Sequence, residues 1–322
     1  MQNSTLAPVS DSADKLSAAD RQARIKAGLP PLTDQELAHM KNLGYLVIDA
    51  VTSQEEVAEI RKVLEALFDS KAGYKEGALF NFAGAEDDPN APNIPQIVGV
   101  HNYAGNLRKT EFYKMASEMA RQILGPEARF HIDHTLCKPP VDGAATPWHQ
   151  DEAFKDPKFD YSEISFWMPL QPVDEINGCM QFVPGSHQKG ILKHRTPNDD
   201  PRIHAFECAE FNVADAVACP LPAGGCTLHY ERTIHGAGPN RSQAPRYAYV
   251  LIFQIPPESA KEQKVFPWQQ GKHTARMDRA NQWKESGGKY VKFWREFKSK
   301  EFRDYKQTFG KIKKKLLARF GR

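Results

Sequence analysis

The stretch "TPWHQDEAF", Thr146 to Phe154, places a histidine and an aspartate two residues apart. If this stretch is a β-strand, His149 and Asp151 point to the same face of it, and their side chains converge on one point. The pair alone does not distinguish two solvated polar side chains from part of a metal site, because His-X-Asp is common by chance. A metal site requires a third ligand from elsewhere in the chain.

The segments around this stretch are short, apolar or alternating, and separated by turn residues. They are "ARFHIDHTLCKPP", "SEISFWMPLQPV", "GCMQFVPGS", "VACPLPAGGCTLHY", "IHGAGPN" and "RYAYVLIFQIP". From about residue 129, this spacing predicts an antiparallel sandwich or barrel instead of alternating strands and helices.

Three helices are predicted before these strands. The first is "LTDQELAHMKNLG", with Thr33 as its N-cap, Glu36 completing a capping box and Gly44 ending it before the strand "YLVIDAV". The second is "TSQEEVAEIRKVLEALFDS", capped by one of its first two residues, and the third is "TEFYKMASEMARQILG", with a glycine at its end.

Composition changes along the chain predict its division. Residues 1–32 are rich in Ser, Ala and Asp and predict a polar, mobile leader. Residues 33–258 form one β-rich domain with its N-terminal helices, in which residues 71–96 are a long loop. Residues 259–288 are a connecting segment, and residues 289–322 are a basic amphipathic helix.

The composition is that of an ordinary soluble globular protein, with 40% hydrophobic and 26% charged residues. No run approaches the roughly 18 apolar residues of a membrane span, and the N-terminus lacks the apolar core of a signal peptide. An odd number of scattered cysteines without a CxxC predicts free thiols in a reduced compartment, the cytoplasm. These cysteines are Cys137, Cys179, Cys208, Cys219 and Cys226.

The net charge of +3 hides a basic tail. Residues 289–322 contain thirteen Lys or Arg and three Asp or Glu, which leaves the rest of the chain mildly acidic. Aromatic and aliphatic residues recur in the tail three to four apart, backed by cations. Such a helix can bind an anionic membrane surface or dock its apolar side on the barrel. No recognised motif supports a nucleic-acid contact, so none is expected.

The segment "GGCTLHYERTIHGAGPNRSQAPRYAY" offers His229 and His235 as candidates for the third ligand. Two histidines and one carboxylate are the facial ligand set of non-heme Fe(II), which leaves positions open for a cosubstrate and oxygen. Three protein ligands indicate a catalytic site instead of a structural one. Arg246, just beyond the histidine-bearing turn, is placed to bind the distal carboxylate of 2-oxoglutarate with its planar fork.

These motifs together resemble the phytanoyl-CoA dioxygenase family of Fe(II)/2-oxoglutarate-dependent oxygenases. The resemblance covers, in order, the opening helix, "GYLVIDAV" and helix, then "CKPP" ahead of "WHQDEAF", "FWMPLQPVDEINGCMQFVPGSHQKG" and "HGAGPNRSQAPR". It spans roughly residues 33–256 and implies a mainly β fold with flanking helices around a double-stranded β-helix, the cupin-like jelly roll.

The resemblance also implies the roles of individual residues. His149, Asp151 and His235 would be the iron ligands, and Arg246 the salt-bridge partner of 2-oxoglutarate. Because Asp151 is present, hydroxylation is favoured over halogenation, which in relatives requires a small residue at that position.

Trp167 matches a position that lines the cosubstrate, although an aromatic between strands is nearly as well explained by core packing. His134 matches another such position, at which the residue type varies. His229 matches a histidine that lies beside the ligands. Gly225 departs from the family, which often has an aspartate in this turn.

The expected function is a dioxygenase that uses Fe(II), 2-oxoglutarate and O2 to hydroxylate a C–H bond of a small or amphipathic metabolite, releasing succinate and CO2. The basic tail favours a lipid or lipid-linked glycan. Epimerisation, desaturation or ring formation at the same iron site are alternatives, as is a catalytically silent jelly-roll binding module. A zinc hydrolase is disfavoured because hydrolysis gives no reason for an arginine anchor.

Overall fold

The computed structural model of the chain describes residues 16–288 except 142 and 209. In this part, helices flank two antiparallel sheets that pack on each other. The helices are α1 (Ala18–Lys26), α2 (Asp34–Leu43), α3 (Gln54–Asp69), α4 (Glu111–Leu124) and α5 (Ala275–Glu285).

The strands are short and pair in antiparallel fashion. They are β1 (Tyr45–Ile48), β2 (Leu79–Asn81), β3 (Pro95–Val98), β4 (Arg129–Lys138), β5 (Thr146–His149), β6 (Phe159–Asp160), β7 (Glu163–Pro169), β8 (Met180–Phe182), β9 (His194–Arg195), β10 (Glu207–Cys208), β11 (Val217–Cys219), β12 (Cys226–Tyr230), β13 (His235–Ala237), β14 (Arg246–Gln254) and β15 (Glu258–Ser259).

The larger sheet has the strand order β1-β12-β7-β14-β4-β3-β2, and the smaller sheet has the order β11-β8-β13-β5. The pairs β9-β10 and β6-β15 lie outside both. From β4 onward the chain passes back and forth between the two main sheets, with β4, β7, β12 and β14 in the larger sheet and β5, β8, β11 and β13 in the smaller one. This crossing between two sheets is the jelly-roll arrangement predicted from the sequence. The prediction of a mainly β fold with flanking helices is confirmed.

Strand alternation divides the larger sheet into two faces. On the outer face, Ile164, Phe166 and Met168 of β7 pack in one core with residues of α3 and α4. On the inner face, Trp167 of β7 and Val250 of β14 pack with side chains of the smaller sheet. Polar side chains on the inner face therefore lie between the two sheets.

The predicted helix boundaries have the expected local causes. The Thr33 hydroxyl accepts from the Glu36 N–H at 3.2 Å, and the Glu36 carboxylate accepts from the Thr33 N–H at 2.8 Å. Gly44 ends α2 with φ of 84°, a left-handed conformation that favours glycine. Ser53 caps α3, which fixes the start of the second predicted helix.

Two stretches differ from their sequence-based description. Helix α1 lies within the predicted leader, and its Arg21, only 2% exposed, pairs with Glu36 of α2. The ion pair satisfies both charges and holds α1 against the domain. The predicted loop 71–96 contains β2 and the start of β3, which extend the larger sheet beyond β4. Residues 1–15 lie outside the described part, and the division of the chain into segments stays a prediction.

The predicted basic helix over residues 289–322 also lies outside the described residues. Within the part that the structure describes, no helix has the length and hydropathy needed to span a membrane.

Candidate active site

The pairing of β5 with β13 brings two histidines together. His149 and His235 are direct partners in this antiparallel pair, and directly opposite residues project to the same face. Their ring centroids lie 4.3 Å apart. Asp151 does not lie on the strand but begins a 3₁₀ turn, and its Oδ1 lies 3.6 Å from His149 Nε2 and 3.7 Å from His235 Nε2. The turn, rather than strand alternation, brings the carboxylate back to the histidines.

Backbone carbonyls orient both imidazoles. His149 Nδ1 lies 2.7 Å from the Pro147 carbonyl oxygen, and His235 Nδ1 lies 2.9 Å from that of Thr233. An N–H at each Nδ1 donates to its carbonyl, which leaves the Nε2 lone pair facing Asp151. Burial holds the pKa of His235 well below its usual range, so this ring is neutral and can act as a ligand.

The two oxygens of Asp151 have different surroundings. Oδ2 accepts a hydrogen bond from the Ser165 hydroxyl at 3.0 Å and lies 3.3 Å from His229 Nε2. Burial alone would raise the pKa of Asp151, but the neighbouring imidazoles of His235, His149 and His229 hold this pKa well below its usual range. The carboxylate is therefore ionised, with Oδ1 directed between the two Nε2 atoms. His229 lies beside the cluster, as the resemblance implied.

The donor atoms of His149, Asp151 and His235 all lie within 4.8 Å of one another. Two imidazole nitrogens and one carboxylate oxygen suit a divalent transition metal, and three ligands leave room for exogenous ones. The residues present therefore fit Fe(II). They lie in a cavity of about 400 Å³ whose walls come from both sheets.

Arg246, at the start of β14, lines the same cavity and is 1% exposed. Its Nε lies 3.4 Å from the Asn177 carbonyl oxygen, and its Nη1 has no hydrogen-bond partner among the described residues. Burial lowers the pKa of Arg246 to about 10, so it stays charged at neutral pH. A buried cation with an unused N–H is unfavourable without an anion. This end of the cavity fits the distal carboxylate of 2-oxoglutarate.

The two other predicted cosubstrate residues also line this cavity. Trp167 of β7 is 3% exposed, and the Arg246 guanidinium lies 5.3 Å from its ring centroid. His134 of β4 is half-buried and pairs in register with Val250. Burial lowers the pKa of His134 to about 4, so its ring is neutral near pH 7. The structure therefore brings all six predicted site residues to one cavity.

Sequence reasoning missed several charged residues of the cavity wall. Lys155 and Glu163 form an ion pair there, and burial raises the pKa of Glu163 to about 7. Arg276 reaches the cavity from α5, in the segment predicted only to connect. No local pattern marks these residues, because Lys155 pairs with Glu163 across an irregular stretch and Arg276 contacts Gly77, far away in the sequence.

The departure at Gly225 has a steric reason. A Cβ at this position would lie 3.0 Å from the carbonyl oxygens of Ile48 and Asp49 and 2.9 Å from Leu221 Cδ2. The turn before β12 lies too close to the end of β1 for an aspartate.

Comparison with known proteins agrees with this geometry. The family model described as phytanoyl-CoA dioxygenase (PhyH) matches residues 40–248. A probable alpha-ketoglutarate-dependent hypophosphite dioxygenase of Stutzerimonas stutzeri is 31% identical over 216 residues, which cover 65% of this chain and 73% of the relative. The ectoine dioxygenase of Bordetella parapertussis is 26% identical over 226 residues, covering 65% and 71%.

Among solved structures, EvdO2 from Micromonospora carbonacea var. aurantiaca, complexed with 2-oxoglutarate, is 30% identical with a TM-score of 0.64. The match covers 74% of this chain and 96% of EvdO2. The match to the family model extends over more than half of the sequence and contains all six predicted site residues. The chain therefore belongs to the phytanoyl-CoA dioxygenase family of non-heme iron, 2-oxoglutarate-dependent oxygenases.

Proposed function

We propose that this oxygenase hydroxylates a C–H bond of a small or amphipathic metabolite. His149, Asp151 and His235 hold Fe(II), and Arg246 binds the distal carboxylate of 2-oxoglutarate. The observation that carries the proposal is the combination, in one cavity, of a three-donor cluster with a buried arginine whose Nη1 is unused. A structural metal site would need neither the cavity nor the cation.

Bound Fe(II), with 2-oxoglutarate and O2, supplies the oxidising chemistry that cleaves a C–H bond while succinate and CO2 are released. The protein positions the cosubstrate and the substrate. Arg246 orients the cosubstrate through a charge-assisted pair, and Trp167 and His134 form its walls. Apolar side chains elsewhere in the cavity limit the access of water to the reacting centre. These are Ile94, Val98, Ile132, Leu136, Val250 and Ile252.

Kinetics with 2-oxoglutarate test the role of Arg246. In Arg246→Gln we expect the KM for 2-oxoglutarate to rise about 10- to 100-fold, because a charged hydrogen bond contributes roughly 1.5–3 kcal/mol. Arg246→Lys should recover part of this loss, since it restores the charge but not the fork. Succinate release at varied 2-oxoglutarate is the measurement.

Arg21→Gln is the matched control, because Arg21 is also buried but pairs with Glu36 away from the cavity. Its KM should equal that of the wild type once folding is verified. An unchanged KM in Arg246→Gln would refute the assignment.

The mass of the product shows which type of reaction has occurred. Hydroxylation adds one oxygen atom to the substrate, desaturation or ring closure removes two hydrogens, and epimerisation leaves the mass unchanged. The carboxylate at Asp151 supports hydroxylation over halogenation, since it occupies the position that a halide would need. A product lacking the added oxygen would favour one of the alternatives.

The basic tail supports a further part of the proposal, binding to an anionic membrane surface. Thirteen cations within residues 289–322 would each add attraction to such a surface at low salt. Sedimentation with anionic vesicles should pellet the full chain but not a chain ending at residue 288. Equal behaviour of the two would favour docking of the tail on the barrel.

The cytoplasm stays the predicted compartment. All five cysteines are buried and free in the structure, which supports a reducing environment. A fractionation experiment that recovers the protein outside the cytoplasm would contradict it.

A further inference from the structure

Helix α5 lies against the loop that contains Gly77 and closes one side of the cavity. The Arg276 Nε donates to the Gly77 carbonyl at 2.7 Å, and a Cβ on Gly77 would lie 2.6 Å from the Arg276 carbonyl oxygen. Arg279, on the same helix, donates to the Leu79 carbonyl at 3.0 Å and pairs with Glu86. These contacts anchor α5 and fix where the Arg276 side chain lies.

Arg276 lines the cavity yet forms no ion pair among the described residues. Its Nη1 lies 3.4 Å from His204 Nε2, and its Cζ lies 4.1 Å from the Phe80 ring centroid. Glu86, whose charge acts on Arg276, is already engaged by both terminal nitrogens of Arg279. Arg276 is therefore a second cation of the cavity without a counter-ion.

Lys272 is a further cation close to His204. Its Nζ donates to the Ala205 carbonyl at 3.1 Å and lies 3.9 Å from the Phe206 ring centroid, and it forms no ion pair in the described part of the chain. Burial and the two cations hold the pKa of His204 well below its usual range. The charges of Arg276 and Lys272 thus both act on a neutral imidazole, and Asp200 in turn acts on Lys272. Arg276 is the cation of the two that lines the cavity, and it favours an anion there.

Aromatic rings separate this end of the cavity from the iron ligands. The His149 ring centroid lies 6.1 Å from that of Phe82 and 5.6 Å from that of Phe154. These two rings lie 5.9 and 5.8 Å from the His204 ring. An apolar segment of a substrate can therefore span from the reacting centre to Arg276.

We infer that the substrate carries an anionic oxygen group, a carboxylate or a phosphate ester, that binds Arg276 while its apolar body lies against Phe82 and Phe154. The inference rests on the proposed function for the position of the reacting carbon. Arg276 and Lys272 lie beyond residues 40–248, the segment that the family model matches. The anionic end is therefore assigned from this chain's own residues.

Calorimetry with simple probes tests the inference without turnover. The full chain, loaded anaerobically with Fe(II) and saturating 2-oxoglutarate so that Arg246 is occupied, is titrated with octanoate, octyl phosphate and octanol. We expect the wild type to bind at least one anionic probe about 10-fold or more tightly than octanol, from one charge-assisted pair. Preference for octanoate or for octyl phosphate decides between a carboxylate and a phosphate ester.

Variants of Arg276 test whether this side chain causes the preference for anionic probes over octanol. Arg276→Gln should bind octanol as the wild type does but lose the preference for the anion, and Arg276→Lys should keep part of it. Lys284→Gln is the matched control on the same helix, because its side chain is exposed and does not line the cavity; it should retain the preference.

Two results would overturn the inference: a wild type that binds octanol as tightly as both anions, or an Arg276→Gln variant that keeps the preference. Failure of this inference can be distinguished from failure of the proposed function. Succinate release that depends on Arg246, without any preference for anionic probes, leaves the oxygenase site intact and removes only this substrate class.

Discussion

At the scale of single residues, the orientation of the Asp151 carboxylate depends on its neighbours. Ser165 donates to Oδ2, so Oδ1 is the oxygen directed at His149 and His235. Partners that orient ligands typically contribute 10- to 100-fold to metal affinity. In Ser165→Ala we expect about a 10-fold loss of Fe(II) affinity, measured by anaerobic calorimetry.

Thr227→Val provides the control for Ser165→Ala. Thr227 lies on β12, next to β7, and its buried hydroxyl has no hydrogen-bond partner among the described residues. Removing this hydroxyl should leave Fe(II) affinity unchanged. Equal losses in the two variants would mean that Ser165 acts only through packing.

Glu163 makes stability depend on pH. Burial raises its pKa to about 7 from an ordinary 4.5, against the opposing effect of Lys155. The folded state therefore binds a proton that the unfolded state releases between these values. The stabilisation is present below pH 4.5 and is lost as the pH rises through 7. From pH 5 to 8, we expect the wild type to lose on the order of 3 kcal/mol relative to Glu163→Gln.

Denaturant unfolding of both proteins across this pH range is the measurement. Glu152→Gln is the control, because Arg232 and Lys264 outweigh burial and lower the pKa of Glu152. Its difference from the wild type should stay flat over the same range. A flat difference for Glu163→Gln would contradict the raised pKa.

The convergence of His149, Asp151, His235 and Arg246 on one cavity was predictable in outline because their residue types match one chemistry in one order along the chain. The contacts that orient these side chains were not predictable. Ser165 is an ordinary strand residue in the sequence, and only the register of β7 with β12 places it opposite His229. Such pairings depend on the folded sheet.

At the scale of elements, the passage from α2 into β1 depends on one glycine. Gly44 has φ of 84°, and a Cβ there would lie 2.3 Å from His187 Nδ1 and 2.7 Å from Thr233 Oγ1. Gly28 has φ of 74° and open space around it. We expect Gly28→Ala to cost about 1 kcal/mol from backbone strain alone, and Gly44→Ala about 3 kcal/mol because overlap is added.

Chemical denaturation of the two variants makes this comparison. Equal costs would show that His187 and Thr233 move aside freely. His187 itself lies beside the end of α2, with its Nε2 3.1 Å from the Lys41 carbonyl oxygen.

Helices α2, α3 and α4 were predictable because capping residues and glycine stops are local signals. The elements α1, β2, β3 and α5 were not predicted, since each depends on a distant partner. Pairing with β4 makes β3 a strand despite its proline, and ion pairs with Glu36 and Glu86 hold α1 and α5. Tertiary contacts outweigh weak local preference in these segments.

At the scale of the whole molecule, two sheets enclose a cavity whose polar groups occupy distinct regions. The proposed iron ligands come from β5, the following turn and β13, whereas Arg246 comes from β14. Helix α5 adds a third region. The jelly roll was predictable from the strand pattern and the resemblance, but the contribution of α5 follows from packing that no motif encodes.

The central claim is that this cavity binds Fe(II) and 2-oxoglutarate together through these residues. Anaerobic titration of the iron-free protein with Fe(II) and then 2-oxoglutarate, followed by visible absorption, tests it most directly. A chelated complex gives a weak metal-to-ligand charge-transfer band. We predict this band in the wild type, its loss in His149→Ala and its weakening in Arg246→Ala. A wild type that binds iron without the band, or a His149→Ala variant that retains it, would contradict the account.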